Sequence, residues 1–352
     1  MLPWLAAPAD PGRVHTEGHR ARAAVEEARE QVASLLGARS REVVFTSGAT
    51  EAIAAAVWGV AERGRHHVVS AVEHSAVREA AARFDVTVVG VDGVGRVDPD
   101  QVVAALRPGE TAAVHVQWGN HEVATLQPVA DVVAACRERG VLVHVDAAAA
   151  AGHVAIDFGG VGADLLSISA HKFGGPQGVG ALLVRRGLRL RPLLVGGEQE
   201  RSRRAGTENV AGLVGFGAAA AAVDVVEEGA RAAALTATAL AEATRLEGVV
   251  AYGDRERRLP HIVCFGVEGV EAEAVLLGLD QAGVAVHSGS ACSSESLEPS
   301  PVLEAMGVEA QRSLRVSVGW STTDADIDAL ARVLPEVVQR LRSLGGRASH
   351  RR

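Results

Sequence analysis

The chain has 352 residues, 48% apolar and 22% charged, which is too long for one small core and too apolar for a disordered polymer; about two domains are expected. A net charge of −8 argues against a general binder of nucleic acid or anionic membranes, and aromatics at 3% leave Ala, Val and Leu to build the core. Three widely separated cysteines, Cys136, Cys264 and Cys292, do not suit a disulfide-stapled secreted domain and point to a reducing compartment.

The opening MLPWLAAPADPG lacks a basic region and is interrupted by Asp10 and Pro11, so it does not read as a signal peptide. Thr16 to Leu36 predicts an amphipathic helix, with Thr16 as its cap, Val25, Val32, Leu35 and Leu36 on one stripe, and Gly37 ending it. Short apolar runs follow at Val43–Phe45, His67–Ser70, Val86–Val91, Ala112–Trp118, Val141–Val145, Asp164–Ser169 and Gly180–Val184. Helical patterns alternate with them at Glu51–Arg63, Ser75–Arg83, Pro99–Leu106, Val129–Arg139 and Asn209–Val226. Uniformly apolar strands alternating with helices predict an α/β fold, a mostly parallel sheet covered by helices, with ligands at the carboxyl ends of its strands. Ala211–Val223 is too short to span a bilayer and stops at Asp224, so no membrane partner is expected and the cytoplasm is the default.

Residues 1–227 read as a large domain and 228–352 as a smaller α+β domain. The second contains a long Ala-rich helix (Gly229–Leu246), strands at Ile262–Phe265, Val284–Val286 and Ser313–Ser317, and helices at Glu271–Leu279 and Asp324–Leu344. The basic tail GGRASHRR is expected to fray.

Lys occurs once, at Lys172; every other basic residue among the 35 is Arg. Arg replaces Lys wherever charge suffices but not where a deprotonatable amine must form a Schiff base, so a single Lys at a buried-looking strand end points to that chemistry. Asp146 ends another apolar run, where a buried carboxylate needs a cationic or strongly donating partner; a protonated pyridine nitrogen would serve, and so would a helix cap. FTSGATEA, Phe45 to Ala52, is a strand, a small-residue turn and a helix start, which makes a cup for an anion as well as an ordinary capped turn. Cys292 sits among Ser and Gly, which predicts an exposed, mobile loop and a thiol able to attack at one place and deliver at another. Arg312 and Arg315 flank the start of the last strand, and Arg suits a carboxylate clamp.

FTSGATEA, EHSAV (Glu73–Val77), NHEVATLQP, HVDA, SAHKFGGPQGVGAL, AGTENV (Ala205–Val210), SGSACSSESLEPS and SLRVSVG stand in the order and spacing of a known family. Over residues 10–335 the chain resembles the IscS/NifS-like cysteine desulfurases, fold-type I pyridoxal 5′-phosphate (PLP) enzymes of the class V aminotransferase superfamily, in the group with a long Cys-bearing loop. The resemblance implies that Lys172 holds the cofactor covalently and moves protons, Asp146 pairs with its ring nitrogen, and His74 stacks on the ring. It implies that Ala49, Thr50, Ser169 and His171 bind the phosphate, joined by Thr207 from the partner subunit of a homodimer. Arg315 would clamp the carboxylate of L-cysteine, and Cys292 would take the sulfur as a persulfide, leaving L-alanine. A protein sulfur acceptor, an iron–sulfur scaffold or a tRNA thiolase, would receive it, with no direct nucleic-acid contact and no metal site in this chain.

The chain departs from the family pattern in three places. His121 stands where the family has an Asn near the ring oxygen or substrate, with Asn120 beside it. Ala149 stands where a Gln often donates to that oxygen, and an imidazole at His121 could replace that donor. A family-type LDNAATTP opening is absent, so either the true start lies upstream of this one, or part of the small domain and the wall of the substrate pocket is expected to be missing. The same motifs suit other class V reactions (selenocysteine lyase, C–S β-lyase, aminotransferase), which the need for Cys292 separates, or a non-catalytic scaffold or sulfur relay, which a colourless protein with no imine absorption band would favour.

Overall fold

A computed structural model describes residues 1–288 and 299–349. The chain divides into two compact units: Met1–Val89 with Val97–Trp118 and Gln127–Val225, and Gly90–Arg96 with Gly119–Leu126 and the chain from Val226 on.

The first unit is built on a seven-stranded sheet. Its strands are β1 (Val43–Thr46), β2 (His66–Ser70), β3 (Asp85–Val89), β4 (Thr111–Gln117), β5 (Leu142–Asp146), β6 (Leu165–Ser169) and β7 (Gly180–Val184), in the order β1-β7-β6-β5-β4-β2-β3. β6, β5, β4, β2 and β3 pair in parallel, while β7 runs antiparallel to both β1 and β6. β1 and β6 therefore share a direction, and the carboxyl ends of β1, β2, β4, β5 and β6 lie along one edge. Apart from edge strand β3, the strands are buried throughout, which is why they read as continuous apolar runs.

Helices connect the strands close to their expected places, with local differences. His15, not Thr16, caps the helix Thr16–Leu35: Thr16 is already helical, and His15 Nδ1 accepts from Gly18 N at 3.2 Å. The helix expected over Asn209–Val226 ends at Ala222, because Val223 is extended, and a new one begins at Val225. No single helix among the described residues is long and apolar enough to cross a membrane.

The second unit holds a four-stranded sheet ordered β10-β11-β9-β8, from β8 (Val249–Tyr252), β9 (Ile262–Val267), β10 (His287–Ser288) and β11 (Ser313–Ser317). Its core packs Val263, Phe265, Leu314 and Val316 against Leu235, Val275, Leu279, Leu334 and Val338 from three helices. β8 is a half-exposed edge strand whose short apolar run, Val249-Val250-Ala251-Tyr252, is absent from the strands expected from the sequence. Val284–Val286 is irregular, and only His287 and Ser288 find partners, Arg315 and Leu314. The last helix, Asp324–Ser349, runs on through Gly345 and Gly346 into the tail expected to fray.

Candidate active site

The anion cup forms where β1 hands over to the helix Ala49–Val60. Its N-cap is Gly48, which has no side chain to bond the first-turn amides, so those of Ala49 and Thr50 remain available to a ligand. Thr46 Oγ1 donates to Gly48 O at 2.9 Å, and Glu51 accepts from Ser47 N at 2.8 Å, which fixes the turn. A Cβ built on Gly48 would lie 3.7 Å from Ser169 Oγ, so the end of β6 faces the start of this helix. Ser169 is 2% exposed, and its hydroxyl lies 2.9 Å from His171 Nδ1. Burial first, and then the charge of Lys172, hold His171 below the usual imidazole range.

Close packing at this cup requires Gly180. A Cβ there would stand 2.6 Å from both Gly48 Cα and Ile168 O, inside contact distance. Gly180→Ala is therefore expected to push β7 from its neighbours, cost about 1–3 kcal/mol, and weaken anion binding at the cup. Thermal unfolding and phosphate titration would show both effects; an unchanged melting temperature would refute the packing argument.

Lys172 lies in the short 3₁₀ turn Ala170–Phe173 that follows β6. Its side chain is exposed rather than buried, because the turn carries it past the strand's end; its carbonyl accepts from His153 Nε2 at 2.9 Å. Asp146 is the last residue of β5 and is 7% exposed. Its Oδ1 accepts from Ser167 Oγ at 3.2 Å and from Ala148 N at 3.0 Å, while Oδ2 accepts no bond among the described residues. A carboxylate with one oxygen engaged and the other open suits a cationic ring nitrogen. His74 caps the helix Ser75–Ala81 beyond β2, and its Nδ1 accepts from Ala76 N at 3.0 Å, so its ring proton belongs on Nε2. Ala149 is half-buried and brings only a methyl group.

Ala49, Thr50, Ser169, His171, Lys172, Asp146 and His74 thus gather along the carboxyl edge of the first sheet. This donor set fits PLP: free helix amides and a hydroxyl for the phosphate, a half-open carboxylate for the ring nitrogen, and a primary amine. Thr207 is exposed, in the segment that Arg204 ties to Glu51 at 2.8 Å. Reasoning from the sequence missed Ser167 and Gly180. The alternation Ser167-Ile168-Ser169 was the available signal for Ser167, since it puts both hydroxyls on one face of β6.

In the second unit, Arg315 and His121 come together. Arg315 Nη1 donates to His121 O at 3.0 Å, and Arg315 stands opposite Cys264 across β11 and β9. His121 Nε2 lies 3.5 Å from Glu122 Oε1, and Ser300 donates to Glu122 Oε2. Asn120 Oδ1 accepts from Glu122 N and Val123 N, both at 2.8 Å, so this carbonyl shapes the turn. Cys136 and Cys264 are buried, and burial pushes the Cys136 thiol up to about 11 and that of Cys264 higher still. Cys292 lies outside the described residues.

The family model described as aminotransferase class-V matches residues 5–330. The chain is 41% identical to the cysteine desulfurase IscS of Dictyoglomus turgidum over 95% of this chain and 89% of that one. Among solved structures it superposes on a NifS-like protein with a TM-score of 0.88 at 31% identity, covering 97% and 94% of the two chains. It also superposes on SspA in complex with cysteine, with a TM-score of 0.80 at 30% identity, covering 90% and 92%.

Proposed function

This chain belongs to the class V aminotransferase family as an IscS/NifS-like cysteine desulfurase, and on that premise we propose which of its residues carry the reaction. The observation that carries the assignment is the position of the chain's one lysine, in the turn after β6, beside a phosphate cup and on the same sheet edge as a half-open carboxylate. Ala49 and Thr50 amides, Ser169 and His171 hold the phosphate. Asp146 would pair with the ring nitrogen through Oδ2, and His74 would hold the ring. When bound, PLP supplies an electron sink for the pair released at the substrate carbon.

The Lys172 amine anchors the cofactor and, once free, carries protons to and from the substrate carbon. Arg315 clamps the carboxylate of L-cysteine, with His121 beside it. The Cys292 thiolate attacks the substrate sulfur: an S–S bond forms, the C–S bond breaks, and the carbon that keeps the electron pair is protonated to give L-alanine. Two of the three cysteines are buried with raised thiols, which supports Cys292 as the reacting one. The protein works as a homodimer in the cytoplasm, with Thr207 of each subunit serving its partner's site. It hands the persulfide sulfur to a protein acceptor, an iron–sulfur scaffold or a tRNA thiolase.

Following alanine and sulfide together from L-cysteine tests the assignment. Cys292→Ser is expected to lower both by about 10²-fold or more while keeping the visible band of bound cofactor. Undiminished alanine in this variant would mean that the sulfur leaves without the Cys292 thiol, and pyruvate or a thiol keto acid in place of alanine would mean β-elimination or transamination.

A further inference from the structure

Three histidines in the middle of the first sheet take no part in these roles. His67 on β2, His115 on β4 and His144 on β5 are each 1% exposed or less. His115 is in register with His144, and the three strands are neighbours in parallel, which brings the rings side by side. His67 Nδ1 lies 2.9 Å from His115 Nε2, His115 Nδ1 lies 3.1 Å from His144 Nδ1, and His144 Nε2 lies 3.2 Å from Ser167 Oγ. Ser167 donates to Asp146 Oδ1 at 3.2 Å, so the chain of bonds ends on the carboxylate already assigned to the ring nitrogen.

A neutral imidazole has one N–H and one lone pair, so fixing one end of such a chain fixes every donor in it. Ser167 gives its only hydrogen to Asp146, and its oxygen must accept from His144 Nε2–H. His144 Nδ1 is then bare and accepts from His115 Nδ1–H. His115 Nε2 is bare in turn and accepts from His67 Nδ1–H. The far end, His67 Nε2, is left with a lone pair and no proton, and this is the buried atom that finds no hydrogen-bond partner. A buried N–H without an acceptor is the rarer arrangement, so this end favours the same direction.

The surroundings keep all three rings neutral. Burial, with His66 alongside, pushes His67 down to about 4. Burial, with His144 and His67 alongside, pushes His115 well down. Burial holds His144 at about 4 against the opposing charge of Asp146. The ring of Phe84 packs 5.0 Å from that of His67.

We propose that His67, His115 and His144 are positioning residues for Asp146: a one-way chain of N–H donors that acts through Ser167 to hold Oδ1 and leave Oδ2 for the ring nitrogen of the cofactor. The direction of the chain stands on the hydrogen-bond geometry and on burial that keeps the rings neutral, while its use rests on the cofactor reading above. Hydrogen bonds in series polarise one another, so Asp146 receives a stronger donor than a lone serine.

Long-range ¹H–¹⁵N NMR on the cofactor-free chain reads the tautomer of each ring. The expected result is Nδ1–H at His67 and His115 and Nε2–H at His144; the opposite tautomer at any of them, or an imidazolium at neutral pH, overturns the chain. In the PLP-loaded protein, His115→Phe cuts the chain but keeps an aromatic ring. It is expected to move the pH midpoint of the visible cofactor band by about half a unit or more, and His115→Gln, whose amide can donate and accept, to restore it. A Phe variant with the wild-type midpoint overturns the positioning role. If that variant does not fold, Ser167→Ala makes the cut at the carboxylate and is read the same way. Wild-type protein with the expected tautomers but no band on PLP titration would defeat the cofactor reading, and with it the chain's use, while leaving the direction intact.

Discussion

Lys172→Ala is expected to lower alanine formation from L-cysteine by about 10³-fold or more, through combined loss of the covalent anchor and the proton carrier. The chain contains no other lysine side chain to take over, and its many arginines cannot, because a guanidinium stays protonated and is a poor nucleophile. Lys172→Arg should therefore fail as completely as Lys172→Ala, which separates the amine's chemistry from its charge. Both variants should lose the visible band of covalently held PLP. Neither should change unfolding by more than about 0.5 kcal/mol, since the side chain is exposed and lies outside the core. Alanine release, absorbance and thermal unfolding measure the three effects, and a Lys172→Arg enzyme with near-normal turnover would defeat the assignment.

The largest effect on stability is expected at Glu200. Its Oε2 accepts from Arg29 Nη1 at 2.6 Å and from Phe45 N at 2.9 Å, and its Oε1 from Arg29 Nη2 at 2.8 Å. Arg29 is 3% exposed, also donates to Val43 O at 3.0 Å, and stacks 4.6 Å over the ring of Phe45. Burial opposes its charge, but the bonds and charge of Glu200 more than offset that and raise its pKa. The pair locks together the helix Thr16–Leu35, β1 and the segment that leads to Thr207. Glu200, Arg201 and Ser202 all have positive φ (46°, 58° and 62°), a conformation L residues adopt only when held. Glu200→Ala leaves the buried guanidinium with only the more exposed Glu26, 3.2 Å from Arg29 Nε, as its counter-charge and should cost about 3–5 kcal/mol in urea unfolding. Adding Arg29→Met removes that charge and should recover part of the loss, because the two effects are not additive. A single-variant cost below about 1 kcal/mol would show that the segment is held by other contacts.

Much of the first unit was legible before any coordinates. Continuous apolar runs mark strands buried on both faces, and the expected runs overlap β1 to β7, with Gly180–Val184 matching at both ends. Asp146 and Lys172 could be placed at strand ends because polarity breaks an apolar run there, and one Lys among many Arg is visible in composition alone. Local patterns cannot report which strands become neighbours. Val249–Tyr252 and Val284–Val286 are both short apolar runs, yet the first pairs with β9 and the second stays irregular while His287 and Ser288 pair with β11, so local hydrophobicity does not decide which run finds a partner. Nor does the linear order show that 119–126 belongs with the second unit, which is what puts His121 beside Arg315.

The sequence by itself determined the α/β class, the strand runs of the first sheet, and the presence of a single lysine and of a carboxylate where two of those runs end, because these depend on residue type and short-range period. The tertiary structure decided that Lys172 is exposed, that Glu200 anchors a strained segment on Arg29, and that three histidines far apart in the chain line up onto Asp146. The first depends on how the chain turns after β6, and the other two on register between strands or contact between distant segments, where a shift of one residue would turn a side chain to the other face.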